Sequence, residues 1–302
     1  MRWMMLSVVA LVAVTPDLYT QHDHSAILRT KTEKRLQEIA GNLKGAAGIA
    51  AVDLTTGERF GVNERMVFPQ GSAIKIPVLM EVYRQSSDGR FSLGDRRWVT
   101  RRSTVGGSGI LQFFADSASA LSIRDLCMLM ITQSDNTATN MLIDLVGMDR
   151  VNAMLVSEGF SQTRLQRQMM DTGASARGEE NLSTPEESVR IMERLHRGKF
   201  VSPAVSREIV ELLRLPKGGA FKTGLPDSVA VAFKPGGIAG VSTEWAIVLL
   251  PERPFAVCFM ESQQLGDEAG PAMRETARVL FEYFWRKAHA TRYGTYVPVP
   301  AH

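Results

Sequence analysis

The sequence predicts an α+β fold, an α/β sandwich in which one antiparallel sheet is built from both ends of the chain. Three observations carry this. Strand-like apolar runs cluster before residue 65 and again after residue 228, and the stretch between them is helical and well punctuated. A long amphipathic segment closes the chain, giving the sheet N- and C-terminal helices to pack on. At 302 residues, 44% hydrophobic, the chain is long enough to bury a substantial core. The expected division is an α/β domain made of 26–65 and 216–290, an all-helical domain over 66–215 and a tail over 291–302.

In chain order, "MRWMMLSVVALVAVTP" opens with Arg2 and an apolar stretch too short for an ordinary transmembrane helix. Residues 1–20 read as a signal peptide, with an uncleaved anchor as the alternative, so the protein is expected to be exported, periplasmic or secreted, with no membrane contact beyond that segment. Residues 31–42 read as a helix. "AGIAAVDL" and "GERFGVN" follow as strands joined at a Thr-Thr-Gly turn. In the middle, Ser122 and Asp125 form a capping box ahead of "IRDLCMLMI", and Gly147 and Gly159 sit where helix C-caps belong. Thr184-Pro185-Glu186-Glu187 and Ser202-Pro203 are helix starts. "SVAVAFK", "TEWAIVLL" and "FAVCFMES" return to strand, and 268–287 is the closing helix.

The net charge of +3 comes from mixed acids and bases, with no basic block for nucleic acid and no acidic tail. Cys127 and Cys258 each lie in an apolar run and read as buried small hydrophobes rather than a disulfide framework. His22-Asp23-His24 superficially resembles a metal site but lies just beyond the signal and reads as chain terminus. No metal or cofactor is expected, and no histidine sits in a plausible Ser-His-Asp arrangement.

Chemistry is carried by serine and lysine. Ser72-Ala73-Ile74-Lys75 places a hydroxyl and an amine three residues apart, able to meet on one face of a starting helix; its alternative reading, taken alone, is a solvated helix start. A buried lysine beside another cation loses its proton more easily and can then take one from serine. Ser134-Asp135-Asn136 falls at a break between two helices, where its alternative reading is an ordinary N-cap. Lys-x-Gly occurs twice between residues 221 and 237. Lys222-Thr223-Gly224 precedes the turn signal "LPD" and reads as a turn, whereas Lys234-Pro235-Gly236 closes an apolar strand with Gly237 after it, allowing close approach of a ligand.

These three elements, with "GSGIL" at 107–111 and "SDNTATNMLIDLVG" from Ser134, resemble the class A β-lactamases and related penicillin-binding serine enzymes over nearly the whole chain. The resemblance implies that Ser72 is the acylated nucleophile, Lys75 its proton acceptor, Ser134 a proton relay and Lys234 a cation that keeps Lys75 neutral and attracts a substrate carboxylate. It implies that Asn136 binds a substrate amide, that Gly236 lets the substrate approach the strand, and that the N–H groups of Ser72 and Gly237 form an oxyanion hole. The partner is then a small acyl compound, a β-lactam or a D-alanyl peptide, acting on a monomer.

Three departures bear on that expectation. The loop glutamate that activates the deacylating water should follow Leu165-Gln166-Arg167-Gln168, but Met169 stands there. The loop's closing arginine–aspartate pair has Arg167 but Asn181, which predicts a neutral and weaker neck. Pro235 replaces a hydroxyl residue, and "GVSTEW" offers Glu244 and its neighbours where an arginine is expected. Each hydrogen bond lost to a charged group costs about 1.5–3 kcal/mol.

Overall fold

A computed structural model of the chain describes residues 24–291 and 293–296. The proposed signal segment, His22, Asp23 and most of the tail lie outside the described residues. Five strands form one antiparallel sheet: β1 Ala46–Asp53, β2 Arg59–Val62, β3 Ala230–Ile238, β4 Val241–Leu249 and β5 Phe255–Ser262, in the order β2-β1-β5-β4-β3. Both ends of the chain thus meet at the β1–β5 ladder, and β3 is left as an edge.

The strands read as apolar runs because both faces of the sheet are covered. Along β5 the period-2 alternation sends Phe255, Val257 and Phe259 into one cluster and Ala256, Cys258 and Met260 into another. The first cluster lies under helices α1 His24–Gly41 and α10 Ala269–His289, with Leu36, Leu280 and Phe284 among its members. The second joins the sheet to the helical region: α2 Lys75–Ser87, α3 Ile123–Thr132, α4 Asn136–Val146, α5 Met148–Ser157, α6 Thr172–Ala176, α7 Pro185–His196 and α8 Pro203–Arg214. A one-turn helix, α9 Ala220–Thr223, leads back to β3.

The inserted region is helical apart from two short ribbons, Phe68–Pro69 against Leu182–Ser183 and Arg96–Trp98 against Ala120–Ser122. The caps form as their residues dictate. Ser122 and Asp125 make both bonds of the capping box. Thr184 and Ser202 each accept from the N3 amide ahead of a proline. Gly147 ends α4 at φ 85°, the left-handed region that glycine enters without strain. Cys127 and Cys258 are buried and free. On this layout we propose the division of 26–65 with 216–290 from 66–215. Among the described residues no helix is long and apolar enough to cross a membrane.

Candidate active site

Ser72 sits in a 3-10 turn, Gly71–Ile74, that runs directly into α2 at Lys75. The turn is held against the edge of the sheet by residues without bulk. A Cβ on Gly236 would lie 2.3 Å from the Gln70 carbonyl oxygen and 2.6 Å from the Ala73 nitrogen, and one on Gly71 would lie 2.7 Å from the Gly237 nitrogen. Only glycine lets β3 and the Ser72 turn approach this closely. Buried Gln70 ties the turn from beneath: its Oε1 accepts from Trp245 Nε1 at 2.9 Å, and its carbonyl accepts from Thr243 Oγ1 at 3.0 Å. The sequence reading missed Gln70.

Lys75 is wholly buried. Its Nζ donates to the Ser134 carbonyl at 2.6 Å, to Asn136 Oδ1 at 3.0 Å and to Ser134 Oγ at 3.1 Å. Burial pushes Lys75 well below the usual lysine range, the Lys234 charge adds to this, and Asp135 opposes it. Ser134 is held at φ 51°, an unfavourable region for a serine. Neighbouring bonds fix it there: the amide of Asp135 donates to Leu129, that of Asn136 to Ser108, and the Asp135 carboxylate caps α4. The second Asp135 oxygen accepts from the Ile110 and Leu111 amides, so the same aspartate sets the wall that carries Gly107. The alternative reading of this triplet as an N-cap holds for Asp135, which accepts from the Ala138 amide.

Lys234 lies within β3 rather than at its end, since the strand continues through Pro235 to Ile238. Its Nζ donates to Ser134 Oγ at 3.1 Å and to the Pro235 carbonyl at 2.9 Å. The Ser134 hydroxyl thus stands between two buried lysine side chains. Lys222 is elsewhere. It lies on α9, a helix where a turn was expected, and its Nζ donates to the carbonyls of Pro226, Asp227 and Val229.

Glu244 is the buried charge that sequence reading treated only as an absent arginine. It pairs with Pro235 across β3–β4 and accepts from the amides of Ala220 and Phe221. Burial raises its pKa to about 7. Burial, followed by the charge of Lys217, lowers Lys234 to about 7, while Glu244 opposes that shift. Lys217 itself is pushed down to about 8 by burial and lies 4.3 Å from the centre of the Phe233 ring.

The loop neck corrects an expectation. Arg167 keeps an ion pair, with Glu180 rather than its neighbour: Nη2 and Nε reach Glu180 Oε2 at 2.8 and 3.0 Å. Asn181 adds a neutral clamp, its Oδ1 accepting from the Gln166 and Arg167 amides. The acid has moved one residue, so electrostatic hold is retained. Met169 is buried, its amide and carbonyl both bonded to the Asn140 side chain at 2.8 and 3.0 Å. Asp171 caps α6 through the Ala174 amide. A cleft of about 640 Å³ is bounded by Ser72, Asn136, Met169, Asp171, Glu180 and Gly237. Among the described residues no His, Cys, Asp or Glu cluster could hold a metal ion.

An antiparallel sheet and an inserted helical region meet at a cleft bounded by Ser72 and Asn136, with Lys75 and Lys234 buried beside Ser134, the architecture of the β-lactamase and transpeptidase-like folds. The chain matches the β-lactamase enzyme family over residues 31–284, and it belongs to that family. It is 25% identical over 226 residues to an imipenem-hydrolysing β-lactamase of Enterobacter cloacae, covering 72% of this chain and 77% of that one. A β-lactamase of Streptomyces fradiae is 27% identical over 83% of this chain and 86% of its own. The match to a β-lactamase of Rhodobacter capsulatus spans 62% of that protein. Among solved structures, a β-lactamase from Sphaerobacter thermophilus superposes with a TM-score of 0.77 at 26% identity, over 85% of this chain and 97% of that one. PBP-A shares the fold at a TM-score of 0.78 and 24% identity, over 85% and 96%.

Proposed function

We propose that the protein is a serine hydrolase of class A β-lactamase type, acylated at Ser72 by β-lactams or related amides and slow to deacylate. The carrying observation is the Lys75–Ser134–Lys234 chain beside Ser72. With Lys75 neutral, its two N–H groups are taken by acceptors that cannot donate, the Ser134 carbonyl and Asn136 Oδ1. Its lone pair, which faces the Ser134 hydroxyl at 3.1 Å in the resting site, then takes the Ser72 proton as Ser72 attacks the acyl carbon. The lactam C–N bond breaks, and the proton returns to the leaving nitrogen through Ser134, whose hydroxyl Lys234 polarises. The amides of Ser72 and Gly237 stabilise the oxyanion.

Release needs a second base near the acyl carbon. Met169 cannot accept a proton, Asp171 is engaged at a helix start, and Glu180 is held by Arg167. Reaction with a penicillin is therefore expected to give a burst of roughly one equivalent followed by slow release. Intact mass should find the adduct persisting after free ligand is removed. Met169→Glu should shorten the adduct's life several-fold, because Asn140 fixes the backbone at 169 beside the cleft. Fast turnover by the native protein, with no adduct on rapid quenching, overturns the slow step.

A second reading keeps the acylation chemistry and changes the acyl donor to a D-alanyl peptide. It is favoured by Pro235 and Glu244, which leave Lys234 as the main cation for a substrate carboxylate. Hydrolysis of a chromogenic cephalosporin measured beside D-alanine release separates the two, and an adduct with neither activity marks a lactam-binding protein. Export is part of the proposal and rests on the apolar segment of residues 1–20.

The electrostatics add a pH test. Charged Lys234 is required, so acylation falls as pH rises through the Lys234 pKa near 7. Glu244→Gln removes a charge that raises this pKa and should move the alkaline limb to lower pH. Lys217→Met removes a charge that lowers it and should move the limb to higher pH. Both profiles are read from the rate of labelling by a fluorescent penicillin, and a limb unmoved in both variants discards the coupling.

A further inference from the structure

The surface beside the cleft is built from arginine and exposed aromatic residues. Residues 90–121 hold five arginines against two aspartates, a net +3, as large as the charge of the whole chain. Arg96, Arg97, Arg101 and Arg102 make no ion pair among the described residues, unlike Arg278, which lies between Glu275 and Glu282. Asp95 accepts from the Ser92 amide, and Asp116 from the Arg101 amide while also feeling the Arg101 charge. Within the same stretch of chain Trp98 is 61% exposed, Phe113 80% and Ile110 44%. Trp98 and Phe114 line a shared groove with Arg96 and Leu121.

This apolar group is held in place. Ile110 and Phe113 flank buried Leu111 in a 3-10 turn, where side chains three apart eclipse and project together. The turn is anchored by Asp135, which accepts from the amides of Ile110 and Leu111. Large exposed apolar patches mark contact surfaces. A polyanion such as nucleic acid would satisfy the arginines but leave Ile110 and Phe113 in water. A bilayer of anionic lipid satisfies both, since aromatic side chains settle at the headgroup level and basic residues meet the headgroups.

We propose that the strip carrying Arg96, Trp98, Arg101, Arg102, Ile110 and Phe113 is a docking surface for an anionic lipid bilayer. Gly107 and Ser108 border the catalytic cleft and lead into Ile110, so docking sets the cleft mouth beside the membrane surface. This goes beyond the N-terminal segment as the chain's membrane contact and does not depend on the acyl chemistry.

The test is co-sedimentation of the full chain with phosphatidylcholine vesicles, with and without a minority of phosphatidylglycerol. Binding should require the anionic lipid and weaken with salt. Replacing Arg101 and Arg102 together by Gln should weaken it about thirtyfold. Trp98→Ala with Phe113→Ser should weaken it at least tenfold. Penicillin labelling and thermal unfolding should stay unchanged, because none of these side chains borders the cleft or sits in the core. Brominated lipid should quench the native protein's fluorescence more than that of Trp98→Phe. Equal vesicle binding by both double variants would place all affinity in the N-terminal segment and overturn the proposal. Capture on heparin without vesicle binding would overturn the choice of lipid.

Discussion

In Ser72→Ala, covalent labelling by a fluorescent penicillin is expected to fall to background, a loss of more than about a thousandfold. Ser72 is half-buried at the cleft, in a turn whose shape is set by other residues: Gln70 beneath it, and Gly71 and Gly236 at the contact with β3. The bonds of Lys75 run to Ser134 and Asn136, so removing the Ser72 hydroxyl leaves that network intact. The variant should therefore unfold at the wild-type temperature while losing its adduct, which separates loss of the nucleophile from loss of the fold. Ser134→Ala should still label, more slowly, because it removes the return path of the proton and not the attacking atom. Undiminished labelling of Ser72→Ala, or an adduct mapped to another residue, ends the proposed mechanism.

How far this site was legible differs by residue, and the reason is sequence distance. The strands stood out because two covered faces turn them into apolar runs, and the helix starts stood out because capping is local chemistry. The two ribbons did not, since two or three residues show no period. Ser72, Lys75, Ser134 and Lys234 are individually weak signals that became specific only through their shared order. Gln70 and Glu244 left no signal. Gln70 acts on Trp245, 175 residues away, and a carboxylate in a strand says nothing of the amides it will meet on another element. The Arg167–Glu180 pair escaped for a smaller reason: the acid was sought one position too late, and loop closure tolerates such a shift when the side chain is long enough to reach back.

The two Lys-x-Gly runs give the second large effect. Lys234→Ala should slow acylation by about 10²–10⁴-fold, the range of a lost acid–base contribution. Two losses combine. The Ser134 hydroxyl loses the cation that polarises it and keeps only Lys75 as a lysine neighbour. Lys75 also loses a charge that lowers its pKa, so that pKa rises and less of the amine is neutral at a given pH. The sign of the second loss is testable: the residual rate of Lys234→Ala should climb with pH over a range where the wild-type rate falls. Lys234→Arg keeps the charge and should recover part of the rate. Lys222→Ala should label within about twofold of wild type, because its Nζ serves three loop carbonyls away from the cleft and surface losses of this kind are usually small. Its effect belongs in thermal unfolding, where a small decrease would report a loosened approach to β3. If Lys222→Ala proved the more damaging for acylation, the assignment of Lys234 to the proton chain would be wrong. The cation acting on Ser134 would then have to come from α9.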